Sequence, residues 1–156
     1  MKQECSCSCG KSTLIICTTP ISRFACHCLN CQGYTGLPLS DDCAFLAKDV
    51  VVPQVNSIQY SKSNSLISLK RGKCSSCGSP VISIFNVFGF LSFVYIPSKN
   101  IPPNINITRI DAHTFYKRRV SEIYDRAPKY YGYWSSQLNT VRILLWALLR
   151  LKIHKG

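Results

Sequence analysis

Cys26-His27-Cys28-Leu29-Asn30-Cys31 puts three thiols within six residues, and the rest of the chain is read outward from it. Side chains of an extended segment alternate with period two, so Cys26 and Cys28 leave the backbone on one side and His27 on the other. The Cys-x-x-Cys step that follows curls into a knuckle and brings in the third sulfur. Two more pairs stand far away in sequence, Cys7-Ser8-Cys9-Gly10 and Cys74-Ser75-Ser76-Cys77-Gly78. Four thiols from two short knuckles make a complete tetrahedral zinc shell, whereas three leave one position open, the difference between structural and catalytic zinc. One closed site and one open site are therefore expected. His27 is expected to pack or to orient its neighbours, not to bind metal.

Ten cysteines in 156 residues need an account. Met1-Lys2-Gln3-Glu4 runs straight into the first thiols with no apolar segment, so an intracellular, cytoplasmic chain in a reducing compartment is expected. Disulfides are rare there, and clustered Cys-x-Cys and Cys-x-x-Cys spacings mean metal more often than bridges. The length fits one hydrophobic core.

The formal charge is +12, with every thiol counted neutral. Seven metal-bound thiolates and two Zn²⁺ would leave about +9, still strongly basic. Residues 117–156 hold nine Lys and Arg against Glu122 and Asp125. A solvated surface accounts for such a tail; a nucleic acid, an anionic membrane surface or an acidic protein could also meet it.

Thr13 to Thr18 is a β-branched run that stops before Pro20, and it reads as a strand. Ser22 to Cys28 reads as a second extended segment, and the turn-rich stretch Gln32 to Pro38 as a loop whose amides face the open site. Ser57–Lys62 and Ser65–Lys70, with Asn64 between them, carry apolar residues at alternate positions, Leu66 alone out of step, which predicts a β-hairpin running into the Cys74 knuckle. Val81 to Ile96 is the most hydrophobic part, but it is shorter than the roughly 20 residues a spanning helix needs. Two buried strands turning near Asn86 to Gly89 fit it better. Pro97 to Asn106 reads as a loop, and Arg109 to Tyr133 carries no assignable period. Residues 138–153 predict a helix with apolar residues on more than one face and Arg142, Arg150 and Lys152 as its charges. Docking on the sheet or on a second copy is its plain role; a cationic helix lying in a membrane interface is the sharper one.

The order Cys-x-Cys-Gly, Cys-His-Cys-x-x-Cys with a following Gly turn, then Cys-x-x-Cys-Gly-Ser-Pro, resembles the glutathione-dependent formaldehyde-activating enzyme family, which also includes centromere protein V. The likeness covers roughly residues 5–116. It implies a mainly β fold, a β-tent of small antiparallel sheets, here extended by the C-terminal helix. It implies that Cys7, Cys9, Cys74 and Cys77 hold a structural zinc and that Cys26, Cys28 and Cys31 hold a second, catalytic one, two Zn²⁺ per chain. The chain then divides into a zinc-binding domain over 1–116 and a basic extension over 117–156.

The activity implied is a carbon–sulfur lyase reaction run in reverse, joining glutathione to formaldehyde as S-hydroxymethylglutathione, or a related thiol reaction. A zinc with three thiolates suits a soft fourth sulfur better than a water, and a thiol placed there would lose its proton near neutral pH. Arg23, Lys48, Arg71 and Lys73 are candidate partners for glutathione's carboxylates, chosen by nearness to the knuckles in sequence. The competing reading is a zinc-stabilised interaction module whose basic C-terminus binds an acidic partner. Two features depart from the family pattern. Arg71-Gly72-Lys73 stands where an aromatic residue commonly precedes the third knuckle, and Cys5, Cys17 and Cys43 are surplus thiols. Cys5 with Cys7 is an alternative register for the first pair, although Gly10 favours Cys7 with Cys9; Cys17 and Cys43 read as small core residues.

Overall fold

The computed structural model describes residues 2–62, 69–87 and 91–153. Among them ten strands fall in two sheets, of three and seven strands. In chain order the elements are β1 (Gln3–Ser6), β2 (Thr13–Ile16), β3 (Ser22–Cys26), α1 (Leu29–Thr35), β4 (Ser40–Leu46), β5 (Val50–Val51), β6 (Ile58–Lys62), β7 (Leu69–Cys74), β8 (Pro80–Val87), β9 (Leu91–Pro97), β10 (Ala112–Thr114) and α2 (Tyr133–Ile153). The chain is mainly β with a C-terminal helix, as its residue pattern predicts. It forms two compact units, Met1–Pro20 with Cys43–Ile107, and Ile21–Asp42 with Thr108–Gly156.

The first unit contains the three-stranded sheet, in which β1 and β5 flank β2 and Cys5 stands opposite Leu14. Alternation buries Leu14 and Ile16 of β2, and with Phe45, Val81, Ile82, Val94 and Ile96 they build the hydrophobic core. The apolar run Val81–Ile96 resolves into β8 and β9, antiparallel, with Phe85 opposite Phe93 and Val87 opposite Leu91. The expected turn between them falls partly outside the described residues. The predicted hairpin is present as β6 and β7, pairing Ile58 with Cys74 and Tyr60 with Gly72. Asn64 and Ser65 to Ser68 lie outside the described residues. A side chain at Gly72 would put its Cβ 2.5 Å from Ile58 Cγ2 and 2.8 Å from Ile82 Cγ2. Any larger residue in β7 at this point would force the core side chains of β6 and β8 that close over it to shift.

In the second unit β3 pairs with β10 in parallel, Ala112 opposite Phe24 and Thr114 opposite Cys26. Pro128 to Tyr130 lies along the other edge of β10: His113 N donates to Pro128 O and Tyr130 N to His113 O, both at 2.9 Å. Phe24, Ala25, Ala112, Tyr116 and Leu144 are buried here. Helix α2 packs on β10 and β3. It begins at Tyr133, ahead of the expected Leu138, because Gly132 N donates to Ser135 Oγ at 3.1 Å and the Ser136 hydroxyl bonds back to Gly132 O at 2.6 Å. Such polar first-turn residues stabilise a helix start without adding to the apolar period that marks the rest of it.

Candidate metal centres

The first thiol group is assembled from two matching knuckles. Gly10 N donates to Cys7 O at 3.0 Å and Gly78 N to Cys74 O at 2.9 Å, each glycine at a positive φ, 76° and 68°. A side chain would strain either position, so the Cys-x-Cys-Gly and Cys-x-x-Cys-Gly patterns encode the turns that aim the sulfurs. The ligand atoms of Cys7, Cys9, Cys74 and Cys77 all lie within 4.8 Å of one another, with Cys7 and Cys74 buried and Cys9 and Cys77 exposed. Two of the sulfur–sulfur distances are 3.5 Å, Cys7 to Cys9, and 3.8 Å, Cys9 to Cys74. A tetrahedron with Zn–S bonds of about 2.3 Å has edges of about 3.8 Å, so the donor set fits such an ion in both chemistry and spacing.

Hydrogen bonds already favour thiolate at part of this group. Ser12, then the Cys77 amide, draws the Cys74 thiol down to about 6. The Ser79 hydroxyl, 2.9 Å from Cys77 Sγ, lowers that thiol too. Cys9 goes the other way: a hydrogen bond from the Lys11 amide lowers it, but those with Cys77 and Cys7 prevail and push it up to about 11. Negative charge accumulates on some sulfurs at the expense of their neighbours, a penalty that a divalent cation would remove.

Cys26, Cys28 and Cys31 form the second group, again within 4.8 Å and each half-buried. Cys26 closes β3, and Cys28 caps α1, its sulfur accepting from Cys31 N at 3.3 Å. The knuckle is thus the first turn of a helix. That helix takes in Gln32 to Thr35, which the turn-rich composition assigns to a loop, and it ends where Gly36 N donates to Gln32 O at 2.8 Å. The Cys28 thiol, followed by burial, pushes Cys26 up to about 12, although Cys31 pulls it down. Cys31 is raised further by hydrogen bonds with Cys26 and Cys28 and by burial. Among the described residues no fourth His, Cys, Asp or Glu atom joins this group. The donor set is chemically that of an open thiolate site for a soft divalent metal.

The surplus thiols join neither group. Cys5 sits in the core opposite Leu14, Cys43 is fully buried in the same core, and Cys17 is half-buried. It is therefore Cys7 with Cys9, not Cys5 with Cys7, that the fold brings to Cys74 and Cys77.

His27 is 1% exposed and is not one of the residues whose ligand atoms gather with the three sulfurs. Its Nε2 lies 3.0 Å from Nδ1 of His113, whose Nε2 lies 2.8 Å from Oδ2 of Asp125; Lys129 Nζ holds the other carboxylate oxygen at 3.1 Å. Tyr116, fully buried, meets both imidazoles edge-on at centroid distances of 5.0 and 5.6 Å. Burial, then the charge of His113, drives the His27 imidazole down to about 4. Gln32 ties α1 to the same region, its Nε2 donating to His27 O at 2.7 Å and to Arg118 O at 2.8 Å. His113, Tyr116 and Asp125 come from the stretch without a sequence period, and no spacing signal links them to Cys26–Cys31.

Of the cations chosen for nearness in sequence, Arg23 is engaged by Asp41 in a two-pronged ion pair, Nε to Oδ1 at 2.8 Å and Nη2 to Oδ2 at 2.6 Å. Lys48, Arg71 and Lys73 belong to the first unit, whereas the three-thiol group belongs to the second.

A mainly β chain that gathers seven of its ten cysteines into one group of four and one of three has thiol donors that could hold metal ions. The chain is a member of the glutathione-dependent formaldehyde-activating enzyme family, whose model matches residues 2–117. In fold it is similar to a Rhodobacter sphaeroides protein, determined as a structural-genomics crystal structure, at 13% identity and a TM-score of 0.51 over 67% of this chain and 91% of that one. No curated protein matches the chain significantly. Helix α2 and the segment leading into it lie beyond the matched residues.

Proposed function

We propose that the chain binds two zinc ions, a structural one at Cys7, Cys9, Cys74 and Cys77 and a labile one at Cys26, Cys28 and Cys31, and that glutathione is activated at the second to add to formaldehyde. Family membership ties the chain to glutathione-dependent formaldehyde activation. The observation that carries the finer reading is the contrast between four gathered thiols and three, since a purely structural site has no use for a missing ligand. Zinc held there would supply a soft Lewis acid that favours the thiolate of an incoming thiol at neutral pH. The chain's own residues do the rest. Cys26, Cys28 and Cys31 bring three negative charges, which steer the open position toward polarisable sulfur and away from water. The chain from Asp125 through His113 to His27 anchors the segment that carries two of these cysteines. In the reaction the glutathione sulfur bonds to the formaldehyde carbon, the carbonyl π pair moves to oxygen, and that oxygen takes up the proton the thiol gave away. The product is S-hydroxymethylglutathione.

Exchange NMR of glutathione with formaldehyde, with and without the full chain, tests this reading because the uncatalysed reaction is its own control. Zinc-loaded protein should accelerate exchange, and Cys31→Ser should abolish the acceleration while keeping one zinc per chain. No acceleration, together with no glutathione binding by calorimetry, would overturn it in favour of a zinc-stabilised interaction module.

A further inference from the structure

The exposed face of α2 is not explained by either thiol group. Trp134, Leu138, Val141, Leu145 and Leu149 recur at spacings of four, three, four and four and are 40 to 74% exposed. At about 100° per residue they form one stripe roughly 80° wide. Buried Ser136 and Leu144 mark the opposite face, so the helix is held in place while the stripe faces solvent. Over about 15 residues the stripe runs about 22 Å. Arg142 borders it on one side and Trp146 and Arg150 lie farther round on that side, the Arg150 guanidinium 4.9 Å from the Trp146 ring. After Asp125 the sequence contains six Lys and Arg and no Asp or Glu.

This combination selects among occupants. A second copy of α2 would bring Arg142 and Arg150 toward another all-cationic helix, with no carboxylate on either to receive them. An anionic bilayer offers what the face lacks: hydrocarbon for the stripe, an interfacial depth suited to the two indoles, and phosphates for the guanidinium groups. Among the described residues no helix is long and apolar enough to cross a membrane, so the helix would lie along the surface. We propose that α2 docks the protein on an anionic phospholipid surface, with Trp134, Leu138, Val141, Leu145 and Leu149 sunk below the headgroups and Arg142 and Arg150 among them.

The test is co-sedimentation of the full zinc-loaded chain with phosphatidylcholine vesicles, with and without phosphatidylserine, followed by tryptophan emission. Binding should require phosphatidylserine, shift the emission to the blue and weaken as salt rises. Leu145→Glu with Leu149→Glu should reduce partitioning at least ~10-fold, because two apolar side chains leave the hydrocarbon and two negative charges arrive. Arg142→Gln with Arg150→Gln should reduce it by about 10- to 30-fold on anionic vesicles. All four side chains are exposed, so retained circular dichroism and zinc content verify folding. Failure to bind phosphatidylserine vesicles at low salt, or binding that survives the leucine substitutions, overturns the proposal. A dimer that Leu145→Glu dissolves would assign the face to a second copy, and equal competition by polyglutamate would reduce it to a charged surface; either result also overturns it.

Discussion

His27 Nε2 and His113 Nδ1 stand 3.0 Å apart although 86 residues separate them in the chain. The Asp125 carboxylate, 2.8 Å from His113 Nε2, accepts its hydrogen bond, so that nitrogen carries a proton, and one proton joins the two facing imidazole nitrogens. The remaining nitrogen, His27 Nδ1, is buried and has no hydrogen-bond partner among the described residues. The anionic end of this chain thus fixes which way the His113 ring donates to Asp125.

Asp125 should contribute to stability with a definite pH dependence. Burial raises its carboxyl, but hydrogen bonds from His113 and Lys129 outweigh that and hold it below the ordinary value. A depressed folded-state value means stability that is present above the unfolded pKa, about 4, and is lost as pH falls through the folded one. Asp125→Asn should remove that component. Chemical denaturation between pH 3 and 6 should show a steeper loss for the parent chain than for the variant, and parallel curves would contradict this origin.

Gly72→Ala should destabilise the first unit by about 1–3 kcal/mol through overpacking, since the added methyl meets Ile58 and Ile82. Pairing it with Ile82→Ala, which removes the crowding Cγ2 methyl, should make the two losses less than additive. Urea melts of the single and double variants measure both.

Ser136→Ala should cost about 1–3 kcal/mol, because the fully buried Ser136 hydroxyl accepts from Phe115 N at 2.7 Å and its loss orphans that amide. Phe115 is the one residue other than glycine with a positive φ among those described, at 55°, so the bond also holds a strained turn into Tyr116. Faster amide exchange at Phe115 in the variant is the local readout.

The two thiol groups should answer chelation differently. If Cys7, Cys9, Cys74 and Cys77 hold metal in a closed shell, a mild chelator should take metal from the three-thiol group first, leaving the fold intact, and a strong one should then unfold the first unit. Cys74→Ser should lower the melting temperature far more than Cys31→Ser. Simultaneous loss of both metals in a chelator titration would contradict the division.

Much of this architecture is legible in the residues because short-range rules govern it. Leu14 and Ile16 in β2, the paired strands within Val81–Ile96, and the glycines after Cys9 and Cys77 are dictated by neighbours a few positions away. The early start of α2 is hidden because Ser135 and Ser136 act through hydroxyls that no apolar period records. The histidine chain is hidden for a stronger reason: His113 and Asp125 acquire their roles only when β10 pairs with β3. Arg23 shows the converse, since nearness to Cys26 in sequence points to a free cation where Asp41 in fact engages it.

The pairing of β3 with β10 also bears on how the protein emerges from the ribosome. Cys26, Cys28 and Cys31 are synthesised early, yet the strand beside them and the partner of His27 are translated 86 residues after His27 itself. At about 5–20 residues per second, the interval is roughly 4–17 s. Throughout it the nascent chain presents three clustered thiols without their backing strand or the second histidine. If the three-thiol group holds the metal proposed for it, capture during that time would protect the sulfurs from oxidation before the fold around them is complete.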